Sequence, residues 1–170
     1  LQPEERKYFA HAMLEDVLRA LSGCPQLRGI TLLSDEQAVK ELAAKYGVDY
    51  LDELSLPFPG LNSVVQSAVA ALRLQGDHEI MVLHGDLPLI RVAEIEKLIA
   101  THRRAGVPAL TIGPDGNREG TNCMICTHAS SITFSYGSSS FSKHCQQAAS
   151  FGASLRIVDL PGVGFDIDLP

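Results

Sequence analysis

Hydrophobic and polar residues along this chain follow two periods that alternate with each other. Apolar residues recur every three or four positions in five segments, as in amphipathic helices, and short apolar runs lie between these segments, as in buried strands. The predicted helices span residues 3–23, 35–46, 64–75, 92–104 and 141–151, and the predicted strands span 29–34, 48–51, 80–83, 107–113, 121–127 and 155–160. Helices that alternate with strands predict an α/β domain.

The segment 79–90 contains the clearest candidate for a functional site. Four apolar residues at 80–83 leave no polar side, so they predict a strand that is buried on both faces. Gly85 then allows a turn, Asp86 presents a carboxylate, and Pro88 prevents further strand pairing. Ligands of open α/β sheets bind at the carboxyl ends of strands, which is where we expect Asp86. The alternative is that Asp86 only caps the next helix.

Two further segments combine turn residues with side chains that bind ligands. Asn62 lies at the predicted start of a helix, where it either caps the helix or contacts a ligand in the same crevice as Asp86. The loop 114–121 has the glycine, aspartate and asparagine of a solvated turn, but it also carries Arg118 and Thr121. On the residues alone, both interpretations stay open for each segment.

The last third of the chain contains a candidate anion site and a candidate metal site. Gly137 and the serines up to Ser140 open a predicted helix, where they either present N–H groups and hydroxyls to a phosphate or carboxylate, or only cap the helix. If 165–168 is extended, Asp166 and Asp168 face one side and offer two hard oxygen ligands to Mg²⁺. The alternative is a solvated turn with Asp168 as a helix cap.

Charge and composition restrict the class of function. The 170 residues include 14 basic and 20 acidic side chains, and the net charge of −6 argues against a nucleic-acid surface. No apolar run approaches the ~18 residues of a membrane span. These features predict a cytoplasmic enzyme that acts on small molecules. An anionic substrate would then need metal ions or oriented backbone N–H groups.

The four cysteines predict reduced thiols rather than a disulfide framework. Cys123 and Cys126 have the spacing of a redox or zinc half-motif. They lie in the predicted strand 121–127, however, where residues three positions apart face opposite sides of the sheet. We therefore expect both thiols to be small buried hydrophobic groups.

Five short segments come in a recognisable order along the chain. They are Pro59-Gly-Leu-Asn62, Gly85-Asp-Leu-Pro88, Glu119-Gly-Thr-Asn122, Tyr136-Gly-Ser-Ser-Ser-Phe141 and Asp166-Ile-Asp-Leu-Pro170. Together they resemble the 2-phospho-L-lactate guanylyltransferase family of coenzyme F-420 biosynthesis, whose relatives use phosphoenolpyruvate or 3-phospho-D-glycerate as acceptor. Gly-Asp-x-Pro alone occurs widely in nucleotidyltransferases, so the resemblance rests on all five segments. It covers nearly the whole chain.

The resemblance implies a fold, a reaction and two small-molecule substrates. The fold is a single-domain, three-layer αβα arrangement with a mostly parallel mixed sheet, similar to nucleotide-diphospho-sugar transferases and Rossmann-like. The reaction is attack of an acceptor phosphate on the α-phosphorus of GTP, with Mg²⁺ as cofactor and pyrophosphate as leaving group. Such chemistry depends on positioning and on neutralisation of charge rather than on protein acids and bases.

The resemblance also implies roles for individual residues. Asp86 and Asp166 would be catalytic metal ligands with Asp168 as a weaker candidate, Thr121, Gly137 and Ser140 would bind the acceptor's phosphate or carboxylate, and Asn62 and Gly85 would lie near the nucleotide. Carboxylates alone repel a triphosphate, so metal between Asp86 and Asp166 is needed to stabilise the entering and leaving oxygens.

One departure from the family concerns the ends of the chain. Family members begin with a strand and a basic loop of the Lys-x-Arg-Leu kind, which grips the triphosphate, and they finish with a closing helix. This chain starts past that loop and stops at Pro170. The chain either has been trimmed at both ends, which we favour, or has lost the loop that grips the triphosphate. In both cases we expect residues 1–170 to form a single nucleotidyltransferase domain.

Other functions stay open on the sequence. A glycosyltransferase of similar fold would use Asp166-x-Asp168 to hold a nucleotide sugar through metal, although such enzymes place this motif centrally, on the strand that ends at Asp86. A related enzyme would transfer the nucleotide to another phosphorylated acceptor, such as a molybdopterin. A non-catalytic module would bind a phosphoacid without turnover. The acceptor, the preference for GTP and assembly into a homodimer are also left open.

Overall fold

Helices and strands alternate in residues 2–127 and 132–167, the part of the chain that this computed structural model describes. The helices are α1 (Pro3–Ser22), α2 (Gln37–Tyr46), α3 (Leu61–Leu74), α4 (Val92–Arg103) and α5 (Ser140–Ser150). The strands are β1 (Thr31–Ser34), β2 (Asp49–Asp52), β3 (Glu79–Leu83), β4 (Ala109–Pro114), β5 (Thr121–Thr127) and β6 (Ser154–Ile157). The predicted elements are therefore confirmed, with their ends moved by up to about three residues, as is usual at element boundaries.

The strands form a mixed sheet, as predicted. Four strands pair in the order β3-β5-β4-β6, with β5 antiparallel to both of its neighbours and β4 parallel to β6. β1 and β2 form a separate parallel pair within the described residues. The direction of β5 follows from the short connection between β4 and β5, because a parallel pairing requires a crossover of a dozen or more residues. The carboxyl ends of β3 and β4 therefore lie at the same end of the sheet as the start of β5.

Helices cover both faces of the four-stranded sheet, which gives three layers. On one face, Ile95 and Leu98 of α4 pack with Val17 of α1 in the same cluster as the inner side chains of the sheet. On the other face, Val65 and Val69 of α3 pack against the sheet together with α5. A third cluster joins α2 to α1 and β1. None of the helices in the described ranges has the length and hydrophobicity to cross a bilayer.

The alternation of side chains on β5 confirms the prediction for the two closely spaced cysteines. Cys123 and Ile125 belong to the core on the α4 face, whereas Met124 and Cys126 belong to the core on the α3 face. Both thiols are free and fully buried. Burial raises the pKa of each thiol to about 12, so both stay protonated and pack as small apolar groups.

Candidate active site

Asp86 follows the carboxyl end of β3 and lies at the end of the sheet where β3 and β4 finish. Beyond the last residue of β3, the His84 N–H still donates to the Asn122 carbonyl of β5 at 3.0 Å. The chain then turns at Gly85, where an added Cβ would lie 3.1 Å from the Leu14 side chain, which leaves little room for any other residue. Asp86 follows as a half-buried carboxylate. This is the position that the sequence predicted for it.

The alternative that Asp86 only caps the following helix does not hold. α4 begins at Val92, and its N-cap residue is Arg91, five positions beyond Asp86. Between them, Leu87 and Ile90 are buried in the core, so this segment is anchored by packing. Asp86 therefore lies beyond the carboxyl end of β3 and not at the helix terminus.

Asp166 is brought to the same region by the turn at 161–164, which follows β6. The Glu94 carboxylate of α4 accepts the Gly162 N–H at 2.8 Å and the Arg91 N–H at 3.1 Å. The Asn122 side chain donates to the Val163 carbonyl at 2.9 Å, and Val163 itself is fully buried. An added Cβ at Gly162 would lie 2.5 Å from the backbone carbonyl oxygen of Leu89, so the turn requires glycine there. Glu94 thus joins the chain that follows Asp86 to the chain that precedes Asp166.

The charges of Asp86 and Asp166 act on one imidazole ring, that of His84. Burial lowers the pKa of His84 below its ordinary value, while the two carboxylates oppose that shift. Two acids from segments that are far apart in the sequence therefore share one electrostatic environment. His84 Nε2 is also buried and has no hydrogen-bond partner among the described residues.

A third acid was predicted beside Asp166, but Asp168 lies outside the described residues. The prediction that 165–168 is extended is only testable up to residue 167. The structure assigns no strand to 165–167, and the alternation of Asp166 with Asp168 stays a prediction. In the described part of the chain, no group of three or more His, Cys, Asp or Glu residues is arranged to hold a metal ion. Asp168 as a ligand stays a prediction.

The residues predicted to bind the acceptor meet at the start of α5. Ser140 is the first residue of α5 and is buried, and its N–H donates to the Gly137 carbonyl at 3.0 Å. Gly137 has φ +100° and nothing within 4 Å of an added Cβ, so its surroundings are open while its backbone favours glycine. The Phe141 N–H donates to the Glu119 carbonyl at 3.1 Å, which ties α5 to the segment leading into Thr121.

Thr121 is connected to α5 through a buried histidine. The Thr121 Oγ1 lies 3.0 Å from His144 Nδ1, and the Ser135 N–H donates to His144 Nε2 at 3.0 Å. Burial, assisted by the positive charge of Lys143, lowers the pKa of His144 to about 4. The alternative that the serines cap α5 is not supported, since the N-cap Ser139 makes no side-chain capping hydrogen bond.

The ring of Tyr136 lies between the ring of His84, close to Asp86 in the sequence, and the ring of His144, which contacts Thr121. Its ring centroid is 5.1 Å from that of His84 and 5.4 Å from that of His144. Asn62 holds the Tyr136 backbone from the start of α3, accepting the N–H at 2.6 Å and donating to the carbonyl at 3.2 Å. Asn62 therefore does not cap α3, whose N-cap is Gly60. Its predicted proximity to the nucleotide stays a prediction.

The loop 114–121 is more ordered than a solvated turn. The Asp115 carboxylate accepts the N–H groups of Glu119 and Gly120 at 2.8 and 2.9 Å. Arg118 forms a two-pronged ion pair with Asp159 after β6, at 3.1 and 2.5 Å. Both partners of that pair are more than half exposed, so its contribution to stability is small.

Three residues that matter at this site were not predicted from the sequence. His144 follows Ser140 by four positions, so helical spacing could have placed it on the same face of α5. Glu94 is the third residue of α4, a position from which carboxylates accept N-terminal N–H groups. The N-cap is Arg91, however, and not the Ser or Thr of the usual capping-box sequence, so the sequence carried no sign of this role. Tyr136 has no sequence signal for its central position, because its contacts come from distant segments.

Comparison with solved structures shows which class of fold surrounds this site. A Desulfovibrio desulfuricans G20 protein described as a nucleotide-diphospho-sugar transferase superposes with a TM-score of 0.69 at 10% identity, over 89% of this chain and 67% of that chain. The 4-diphosphocytidyl-2C-methyl-D-erythritol synthase of Anaerococcus prevotii superposes with a TM-score of 0.62 at 13% identity, over 91% and 79% of the two chains. The predicted fold of the nucleotide-diphospho-sugar-transferase type is thereby confirmed.

Sequence comparison defines the family. The phosphoenolpyruvate guanylyltransferase of Sphaerobacter thermophilus is 32% identical to this chain, over 100% of this chain and 79% of the relative. That of Roseiflexus castenholzii is 35% identical, over 99% of this chain and 74% of the relative. A 3-phospho-D-glycerate guanylyltransferase of Phenylobacterium zucineum is 28% identical, over 98% and 75%. The profile of the family described as "Guanylyl transferase CofC like" matches residues 1–170. The chain therefore belongs to the CofC-like guanylyl transferase family, as the five segments indicated.

Proposed function

We propose that this protein transfers GMP from GTP to the phosphate of a three-carbon phosphoacid, with release of pyrophosphate, as a step of coenzyme F-420 biosynthesis. Relatives named as phosphoenolpyruvate guanylyltransferases favour phosphoenolpyruvate as the acceptor, ahead of 3-phospho-D-glycerate and 2-phospho-L-lactate. The substrates are small molecules, and the free thiols suit the cytoplasm. Assembly into a homodimer is part of the same proposal.

The match of the guanylyl transferase family to residues 1–170 carries this proposal, and the positions of Asp86 and Asp166 fit it. The two carboxylates come from the loop after β3 and from the turn after β6, at the edge where ligands of open α/β sheets bind. Acids placed together at such an edge are suited to a cation that accompanies a nucleoside triphosphate.

The residues present fit a Mg²⁺ ion of the kind that binds with a nucleotide. Mg²⁺ takes one or two protein carboxylates and completes its shell with phosphates and water, so Asp86 and Asp166 are sufficient protein ligands. Asp168 would add a third. When bound, the ion supplies positive charge that stabilises the oxygens around the α-phosphorus and on the leaving pyrophosphate. Without it, the acids would repel the triphosphate.

The acceptor binds at the start of α5 in this proposal. The hydroxyls of the buried residues Ser140 and Thr121 favour an anion, and the open space beside Gly137 leaves room for one. Contacts from several donors would hold a phosphate oxygen of the acceptor in line with the α-phosphorus of GTP. That oxygen forms the new P–O bond while the bond to the β-phosphate oxygen breaks, and pyrophosphate leaves with the electron pair.

The chemistry needs no general base from the chain. The second pKa of a phosphate monoester is about 6, so the attacking oxygen is already ionised at neutral pH. Burial lowers the pKa of both His84 and His144, so these rings are neutral there. The protein's part is then to bind, orient and exclude water around the reacting groups.

A pyrophosphate-release assay tests the proposal. Protein from the complete reading frame is incubated with GTP and Mg²⁺, and separately with phosphoenolpyruvate, 3-phospho-D-glycerate and 2-phospho-L-lactate, with an acceptor-free control. We expect release with phosphoenolpyruvate and no release without acceptor. Release with another phosphoacid would correct the acceptor. Absence of release with all three would refute the proposed reaction, and GTP binding measured in parallel would then separate a different acceptor from a non-catalytic module.

A further inference from the structure

The hydrogen bonds around His144 fix which ring nitrogen carries the proton. The ring is fully buried, and its two nitrogens face the Ser135 N–H and the Thr121 hydroxyl, each at 3.0 Å. A backbone N–H can only donate, so Nε2 must be the acceptor in this pair. The neutral ring then carries its proton on Nδ1. This assignment needs no assumption about the rotation of any hydroxyl.

The orientation of the Thr121 hydroxyl follows from that tautomer. Since Nδ1–H points at Thr121, Oγ1 receives a hydrogen bond from the ring and cannot direct its own proton back along the same line. The O–H of Thr121 is therefore turned away from His144 and, in this buried residue, has no acceptor among the described residues. Thr121 is also stiff at χ1 because it is β-branched, so the oxygen stays in place.

A second buried histidine shows that this constraint is not general in the protein. His102 lies 2.9 Å from the Thr111 hydroxyl and 2.7 Å from the Thr127 hydroxyl. Both of its partners can either donate or accept, so neither the tautomer nor the hydroxyl orientation is fixed. His102 joins α4 to β4 and β5, and Thr127 is at the opposite end of β5 from Thr121. It serves as an internal control for a purely structural histidine.

We propose that His144 is a positioning residue for the acceptor: by donating Nδ1–H to Thr121, it makes the Thr121 hydroxyl a dedicated donor to the anionic group of the phosphoacid. The inference rests on the proposed function, which assigns Thr121 to the acceptor. It also adds a reason for selectivity, because a hydroxyl committed to donating favours phosphate or carboxylate oxygens over groups that themselves donate. The low pKa of His144 keeps this arrangement constant at neutral pH.

The test compares His144→Gln, Thr121→Val and the double variant. A glutamine amide oxygen can replace Nε2 as acceptor for the Ser135 N–H but leaves Thr121 without its donor. We expect His144→Gln to raise the acceptor KM by about fivefold to tenfold, because the hydrogen bond from Thr121 to the anion is weakened but not removed. The kcat and the KM for GTP should be unchanged. Thr121→Val should raise the acceptor KM at least as much, and the double variant should be no worse than Thr121→Val alone.

Several outcomes would overturn the inference without touching the proposed reaction. If the effects of His144→Gln and Thr121→Val on the acceptor KM multiply, His144 acts independently of Thr121. If His102→Gln raises the acceptor KM equally, the effect reflects lost stability. If His144→Gln does not fold, ¹⁵N NMR of the unsubstituted protein decides, because the inference requires a neutral His144 protonated on Nδ1. Failure of the unsubstituted protein to turn over any of the three phosphoacids would instead refute the proposed function.

Discussion

Glu94 is predicted to hold the turn before Asp166 in place. Its carboxylate accepts two backbone N–H groups, from Gly162 at 2.8 Å and from Arg91 at 3.1 Å. Hydrogen bonds to a charged group contribute about 1.5–3 kcal/mol each, and the half-buried position of Glu94 favours the lower value. A carboxylate in the first turn of a helix adds about 0.3–1 kcal/mol. Glu94→Ala should therefore lower the free energy of unfolding by about 3 kcal/mol.

Urea unfolding, followed by circular dichroism, measures this loss. Glu96→Ala is the matched control, because Glu96 lies in the same helix and has no hydrogen bond or ion pair within the described residues. That variant should change the free energy of unfolding by less than about 0.5 kcal/mol. Glu94→Gln keeps one acceptor oxygen and should lose roughly half of the effect of Glu94→Ala.

Glu94→Ala should also raise the Mg²⁺ concentration needed for half-maximal turnover, since Asp166 follows the turn that Glu94 anchors. A loss of less than about 1 kcal/mol for Glu94→Ala, or a loss equal to that of Glu96→Ala, would refute this interpretation of the two hydrogen bonds.

Three further predictions concern the carboxylate, the acceptor site and the buried histidine. Asp86→Asn should abolish Mg²⁺-dependent turnover with little change in circular dichroism, and unchanged turnover would remove Asp86 from the site. Ser140→Ala, like Thr121→Val, should mainly raise the acceptor KM, and unaltered acceptor kinetics in both variants would refute the anion site. The pKa of His144 is lowered from 6.5 to about 4, so its contribution to stability is complete above pH 6.5 and is lost as the pH falls towards 4. The loss amounts to at most about 3 kcal/mol, and unfolding measured at pH 5 and pH 7 should show a smaller difference in His144→Gln than in the unsubstituted protein.

The period of apolar residues located the strand before Asp86, and with it the site. The uninterrupted run at 80–83 indicated burial on both faces, and the structure places these side chains alternately in the two cores. Local sequence patterns were therefore enough to predict side-chain positions where the relevant neighbours lie on the same strand or helix. The opposite faces of Cys123 and Cys126 were predictable for the same reason.

Contacts between distant segments were not predictable in this way. Asn62 is a residue type that commonly caps helices, yet its amide binds the Tyr136 backbone, 74 residues away. Glu94 reaches Gly162 across 68 residues. Such pairs depend on how α3 and α4 pack on the sheet, and no local period encodes that geometry.

Binding of Mn²⁺, followed by electron paramagnetic resonance with a non-hydrolysable GTP analogue present, tests the central claim most directly. Asp86 and Asp166 together should hold the ion, so Asp86→Asn and Asp166→Asn should each weaken Mn²⁺ binding by about tenfold or more, which corresponds to about 1.4 kcal/mol. Asp77→Asn is the control, since Asp77 lies just before β3, at the opposite end of that strand from Asp86. Unchanged Mn²⁺ binding in both active-site variants would contradict the account.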